Sequence, residues 1–279
     1  MNCLLCFERV IIRNPEDRLI NYNVVFQLNF ILYQTEMMMI ILGRWSREEL
    51  DKMLAEASNI RDAGLRIGYI SGCILDTPYG ESTLIGDMDN EEEFVVNLEK
   101  VDCLTFIEYV EAMRRSSTFR EFLDNLKRVR YREENVSFNN RNHFFTDWRV
   151  NDSDYIEDIT RETGGDRTII INQSLNEKED GTLFVRGIQP FQREVGYVPS
   201  SAIDETLIDR LKSGDYAGVY SEKAGLDVSH VGIIIKDGSS VIFRHASSVK
   251  KYRRVIDEDF KEYFSDKPGM VVLRAKATA

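Results

Sequence analysis

Apolar positions recur at helical spacing over the first half of the chain and gather into short strand-length runs over the second. Leu50, Met53, Leu54 and Ala57 follow a Ser46-x-x-Glu49 capping box and predict a helix beginning after Ser46. Ile67, Ile70 and Ile74 predict a second helix. It stops at Asp76-Thr77-Pro78-Tyr79-Gly80, because proline disfavours helix at the residue before it. Leu104, Ile107 and Val110 share one helical face behind Asp102, an N-cap residue type, which places Cys103 in a first turn. A further helix starts at Thr118, with Phe119, Phe122, Leu123, Leu126 and Val129 as its apolar stripe. Its basic residues Arg120, Lys127, Arg128, Arg130 and Arg132 read as a solvated face, and the acidic run 87–93 as a solvated loop or helix start.

Beyond about residue 140 the runs become β-rich: 168–171, 183–186, 216–220, 230–236, 241–245 and 270–273. Gly164-Gly165, Ser213-Gly214-Asp215, Asp237-Gly238 and Pro268-Gly269 supply the turns between them. Helices first and strands second predict an α+β domain, with helices packed on one face of a mainly antiparallel sheet. Residues 41–279 are assigned to this domain, helical to about 135 and strand-rich after it, and residues 1–40 to an N-terminal extension.

Composition narrows the function classes. Hydrophobic residues are 43% and charged residues 30% of the 279, as in a soluble globular protein. A formal net charge of -11 argues against broad nucleic-acid binding, which needs a basic face. The most apolar early stretch, 19–35, is short and carries Asn21, Asn23, Gln27 and Asn29, so no integral membrane segment is expected. No basic n-region and clean apolar h-region open the chain, so no export signal is expected. The run Met37-Met38-Met39 offers an alternative start for the native chain. The cysteines are Cys3, Cys6, Cys73 and Cys103. Cys3-x-x-Cys6 has no second pair or nearby histidine to complete a zinc site.

The chain has only three histidines, His143, His230 and His245, so the position of each is informative. His230 opens one strand-like run and His245 closes the next, with Lys236-Asp237-Gly238-Ser239-Ser240 as the hairpin turn between them. If the loop is Gly238-Ser239, Asp237 pairs with Ser240. His230 then lies opposite Ser247, and His245 is its diagonal neighbour on the same face, about 7–8 Å away at the backbone. A three-residue loop would put the two imidazoles on opposite faces. Cys103, at a helix start, sits near unpaired backbone N–H groups and the positive end of the helix dipole, both of which favour thiolate. A thiol, an imidazole base and a second group that orients the base form the constellation of thiol acyl transfer. Cys103 is expected as nucleophile, His230 as base and His245 as its orienter.

These residues carry a resemblance. Asp76-Thr77-Pro78-Tyr79 followed by Thr83-Leu84, Val101-Asp102-Cys103-Leu104-Thr105-Phe106-Ile107-Glu108, Arg141-Asn142-His143-Phe144-Phe145-Thr146-Asp147-Trp148, Asp227-Val228-Ser229-His230-Val231-Gly232 and His245-Ala246-Ser247-Ser248 follow in the expected order. The sequence resembles the N-acetylmuramoyl-L-alanine amidase-like family within the NlpC-type, papain-like cell-wall cysteine peptidases. The resemblance implies an NlpC-type α+β fold, no metal or other cofactor, and hydrolysis of the amide joining N-acetylmuramic acid to L-alanine in a muropeptide or peptidoglycan fragment. It implies that Cys103, His230 and His245 are catalytic and that Tyr79 lines the site. Arg141, Asn142, His143, Asp147 and Trp148 are implied to shape the substrate pocket, with Arg141 pairing a substrate carboxylate and Trp148 stacking on a sugar; the alternative reading puts Trp148 and Phe144 in the core and His143 at a loop cap. A monomer is expected. Family members begin with an export signal, so the resemblance implies the periplasm or cell envelope where the sequence alone reads as cytoplasmic.

Other readings use the same residues. An acyltransferase or transglutaminase-like enzyme shares the acyl-enzyme and differs in the acceptor. A zinc protein would use Cys103, His230 and His245 as three ligands. A catalytically dead binding module would not keep the triad.

Overall fold

The computed structural model of the protein describes residues 10–13, 38–238 and 240–277. Two short strands, β1 (Val10–Arg13) and β2 (Met38–Ile41), pair in parallel, and β2 pairs in parallel with β3 (Phe94–Asn97). Strand β2 crosses the expected boundary at residue 40, and Met38 and Ile40 are buried in the core. The expectations for Cys3-x-x-Cys6, for the stretch 19–35 and for Ser239 lie outside the described residues.

The helical half follows its caps. Helix α1 (Arg47–Ser58) starts from the Ser46–Glu49 capping box, and α2 (Ala63–Cys73) from Asp62. Asp102 caps α3 (Cys103–Arg114), and Thr118 caps α4 (Phe119–Arg130). Short helices α5 (Asp147–Asn151), α6 (Thr160–Gly164), α7 (Glu205–Arg210) and α8 (Phe260–Phe264) punctuate the rest. Among the described residues no helix is long and apolar enough to cross a membrane.

The second half supplies β4 (Ile156–Asp158), β5 (Ile169–Leu175), β6 (Phe191–Pro199), β7 (Tyr216–Tyr220), β8 (Val228–Asp237), β9 (Ser240–Ser247), β10 (Arg254–Asp259) and β11 (Gly269–Ala275). They form one antiparallel sheet in the order β10-β9-β8-β7-β11-β6-β5, with β4 also on β11. The fold is therefore mixed α/β with a mainly antiparallel sheet.

The sheet is covered on both faces, not one. Ile233, Val271 and Leu273 join the core under α1 to α4, whereas Ile234, Met270 and Val272 join a second core with Leu207, Phe260 and Phe264. Successive strand residues point to opposite faces, so near-continuous apolar runs such as 231–235 require two partners.

Two local readings are corrected. Residues 183–186 are not a strand, because the Asn176 side chain takes up the local backbone. It accepts from Val185 N at 2.7 Å and donates to the carbonyls of Val185 and Ile188 at 2.9 and 2.7 Å. Arg130 is not solvated. It is fully buried, bonded through Nε to Glu108 at 2.8 Å and through a terminal nitrogen to the Val95 carbonyl at 2.6 Å. Glu92, within the acidic run, is also buried and accepts from the Tyr131 hydroxyl at 2.7 Å.

Breaking one side of a buried ion pair strands the other charge. Arg130→Met should lower stability to denaturant by about 3–5 kcal/mol. Adding Glu108→Leu should restore most of that loss, read as the midpoint of chemical unfolding.

Candidate active site

Helix α3 presents Cys103 at its first position. Asp102 Oδ1 accepts from Thr105 N at 2.8 Å, and Thr105 Oγ1 accepts from Asp102 N at 2.9 Å, so both chain directions at the helix start are fixed. The half-buried thiol faces the backbone N–H groups of Val231, Cys103 and Leu104. Those groups pull it down, but burial, aided by the Asp102 carboxylate, wins and pushes it up to about 12. The expectation of a thiolate-favouring helix start is thus corrected: the N–H groups are present and desolvation outweighs them.

Tyr79 borders the same place. A parallel bridge ties it to Val101, and Val101 N donates to the Pro78 carbonyl at 2.9 Å. Arg253 lies over its ring at 4.8 Å. Burial raises the Tyr79 hydroxyl, and Cys103 and Asp102 push the same way.

The histidines meet as the hairpin parity requires. Asp237 pairs with Ser240 and Ile233 with Arg244, so His230 and His245 project from one face of β8 and β9. His230 Nε2 and His245 Nδ1 are 2.8 Å apart. His245 Nε2 is 2.7 Å from Oε2 of Glu258 on β10. Phe243 stacks on the His245 ring at 5.0 Å, and Tyr263 of α8 packs against it at 4.9 Å. Burial pushes His230 down to about 3, with His245 and Lys267 acting in the same direction. Burial likewise pushes His245 down to about 4, against the pull of Asp257. Both imidazoles are therefore neutral at pH 7. The hydrogen bonds engage both ring nitrogens of His245.

Sequence reasoning missed Glu258 and Tyr263. In the structure Phe243 pairs with Glu258 and His245 with Ile256, the same diagonal relation that joins the histidines. The charged run Arg-Val-Ile-Asp-Glu-Asp hid the strand.

The expected pocket segment divides. Trp148 is fully buried, edge-on to Tyr216 at 5.3 Å, and belongs to the core instead of a sugar-stacking surface. Asn142 is 1% exposed; it donates to the Val129 carbonyl at 2.9 Å and accepts from Asn151 at 2.8 Å, so both ends of its amide hold the chain. The Arg141 guanidinium forks onto Glu92, with Nε to Oε1 at 3.0 Å, so its charge is already compensated inside the protein. His143 donates from Nε2 to the Phe138 carbonyl at 2.8 Å, and burial pushes it down to about 4. Asp147 pairs with Arg193 at 2.8 Å, and burial pushes it up to about 6. Arg141, His143, Asp147 and Arg193 line a cavity of about 560 Å³ that Cys103, His230 and His245 do not line.

Comparison with curated proteins finds no match. Among solved structures, a Legionella pneumophila protein superposes with a TM-score of 0.69 at 21% identity, over 82% of this chain and 94% of its own. An N-acetylmuramoyl-L-alanine amidase from Bacteroides uniformis superposes with a TM-score of 0.61 at 24% identity, over 81% of this chain and 99% of its own. Both show the shared fold. The family model described as AmiA-like, N-acetylmuramoyl-L-alanine amidase-like, matches residues 69–270, a span that holds Tyr79, Cys103, His230, His245 and Glu258. The chain belongs to the AmiA-like, N-acetylmuramoyl-L-alanine amidase-like family.

Proposed function

We propose that the protein is a cysteine hydrolase with an NlpC-type, papain-like fold, and that it cleaves the amide between N-acetylmuramic acid and L-alanine in peptidoglycan fragments. One observation carries this reading. His230 is hydrogen-bonded to His245 at 2.8 Å, and the next residue of the same strand, Val231, turns its N–H to the Cys103 sulfur. The strand that carries His230 therefore reaches the start of α3, where the thiol sits, and this supports the pairing of base and nucleophile. The amide bond itself is chosen by the family and by the sequence resemblance.

In this reading the resting pair is neutral thiol and neutral imidazole, because burial raises one and lowers the other. His230 takes the thiol proton as sulfur attacks the lactyl carbonyl carbon. A C–S bond forms and the carbonyl electrons move onto oxygen, toward the N–H groups of Cys103, Leu104 and Val231. Collapse breaks the C–N bond, and His230 returns the proton to the L-alanyl nitrogen. His230 then removes a proton from water as the water oxygen attacks the thioester carbon; the C–S bond breaks, His230 hands the proton to the departing Cys103 sulfur, and the muramyl carboxylate is freed. Tyr79 stands beside the reacting carbonyl. Arg141, His143 and Asp147 bound a cavity of a size that takes a peptide arm. An acyltransferase would share every step up to the thioester and would differ only in using an amine in place of water.

Cys103→Ala should reduce release of the L-alanyl peptide from a purified N-acetylmuramoyl-peptide by roughly a thousandfold or more, read by mass spectrometry. Unchanged turnover in the variant ends the claim. Adding a primary amine to the wild-type reaction should yield no new amide; an amine adduct would favour the acyltransferase. A thiol raised above its ordinary value carries less thiolate at any given pH. Iodoacetamide should therefore label Cys103 more slowly than free cysteine at pH 7, and the rate should still climb above pH 9. Peptide mapping separates it from Cys73, whose thiol burial also raises.

A further inference from the structure

The line of hydrogen bonds has a polarity, and that polarity begins outside the expected triad. Glu258 Oε2 lies 2.7 Å from His245 Nε2. An ionised carboxylate only accepts, so Nε2 of His245 carries the proton and Nδ1 is left as a lone pair. That lone pair, 2.8 Å from His230 Nε2, accepts the proton held there. The other nitrogen of His230, Nδ1, is then unprotonated. Each tautomer follows from the partner one step further out.

We propose that Glu258 is the positioning residue that sets the tautomers of His245 and His230 and so leaves His230 Nδ1 as the base for Cys103. The proposal rests on the reading of Cys103 as nucleophile and His230 as base. Without the carboxylate, His245 is free to hold its proton on Nδ1. It would then donate to His230 Nε2 and send the His230 proton to Nδ1, the nitrogen that must be bare.

The surroundings fit one carboxylate for this task. Glu258 is about one-third exposed, and Lys251 before β10 and Lys267 after α8 favour its ionised form against the burial that raises it. Tyr263 of α8 covers the rings. The flanking acids are used elsewhere: Asp257 pairs with Arg244 Nε at 2.7 Å, and Asp259 accepts from Glu262 N at 2.8 Å at the start of α8. Neither stands in for Glu258.

The test compares wild type with Glu258→Ala and Glu258→Asp. Three measurements are made: imidazole ¹⁵N shifts, Cys103 labelling by iodoacetamide from pH 6 to 9, and hydrolysis of an N-acetylmuramoyl-L-alanyl peptide. Expected for Glu258→Ala is a shift of the His230 proton from Nε2 to Nδ1, slower labelling, and a kcat loss of roughly a hundredfold or more with little change in KM. Glu258→Asp should recover part of all three. Unchanged imidazole shifts and unchanged labelling in Glu258→Ala overturn the proposal. If that variant fails to fold, Glu258→Leu, which fills the same space and offers no acceptor, carries the same readouts, and a wild-type shift pattern in it overturns the proposal equally. If Glu258 governs the tautomers but no muropeptide is cleaved by wild type, the substrate reading fails and the positioning role stands. If Cys103→Ala still hydrolyses substrate, the nucleophile reading fails, and the ¹⁵N shifts still decide for or against Glu258.

Discussion

The site depends on one pairing, Asp237 opposite Ser240 across the β8–β9 turn. Strand side chains alternate, so this pairing decides which residues of two long strands look at each other. A one-residue slip would separate His230 from His245 and would also ruin both cores. Ile233 packs under α1 to α4 and Ile234 on the opposite side with Phe243. Arg244 reaches α2, donating to the Gly68 carbonyl at 3.2 Å and to Ser71 Oγ at 3.1 Å, and a slip would turn it among phenylalanines. Gly232 tightens the same constraint, since a Cβ there would lie 2.6 Å from the Phe243 ring and 2.7 Å from the Arg244 carbonyl. The register that builds the imidazole pair is thus the register that buries the sheet.

Burial that secures position also opposes charge separation. Asp102 fixes the start of α3 through Thr105, and the same carboxylate raises the Cys103 thiol. Desolvation raises that thiol and lowers both imidazoles. A preformed thiolate–imidazolium pair is disfavoured on both sides. In the proposed mechanism the proton then moves as the C–S bond forms, which makes the tautomer of His230 decisive, because a base takes that proton only on a bare nitrogen.

Much of this was legible in the chain. The caps Ser46, Asp102 and Thr118 are local signals and mark their helices correctly. The hairpin follows from turn chemistry and alternation, and with it the relation of His230 to His245. What stayed hidden depends on distant partners. Arg130 looks like a surface cation until Glu108, 22 positions away, closes on it. Trp148 has the residue type of a sugar platform, and only packing against Tyr216 assigns it to the core. Strand β10 is a charged edge, a composition that discourages edge-to-edge pairing and also erases the apolar alternation by which strands are read. Glu258 was lost with it.

The proposed mechanism also requires that Cys103 does not drift relative to the sheet, and α3 carries buried ion pairs on successive turns. Glu108 is held by Arg130, whose guanidinium also bonds the Val95 carbonyl in β3. One turn on, Glu111 accepts from Arg114 Nε at 2.8 Å, from Arg115 Nε at 2.7 Å and from the Tyr216 hydroxyl of β7 at 2.8 Å. Arg115 continues to Asp152, beside α5. Such pairs add little net stability over apolar packing, but they have few alternative geometries. They pin the helix to the small parallel sheet on one side and to the large antiparallel sheet on the other. A reacting sulfur must meet a carbonyl carbon and a proton-accepting nitrogen together, and placement on a pinned helix meets that demand better than placement on a loop.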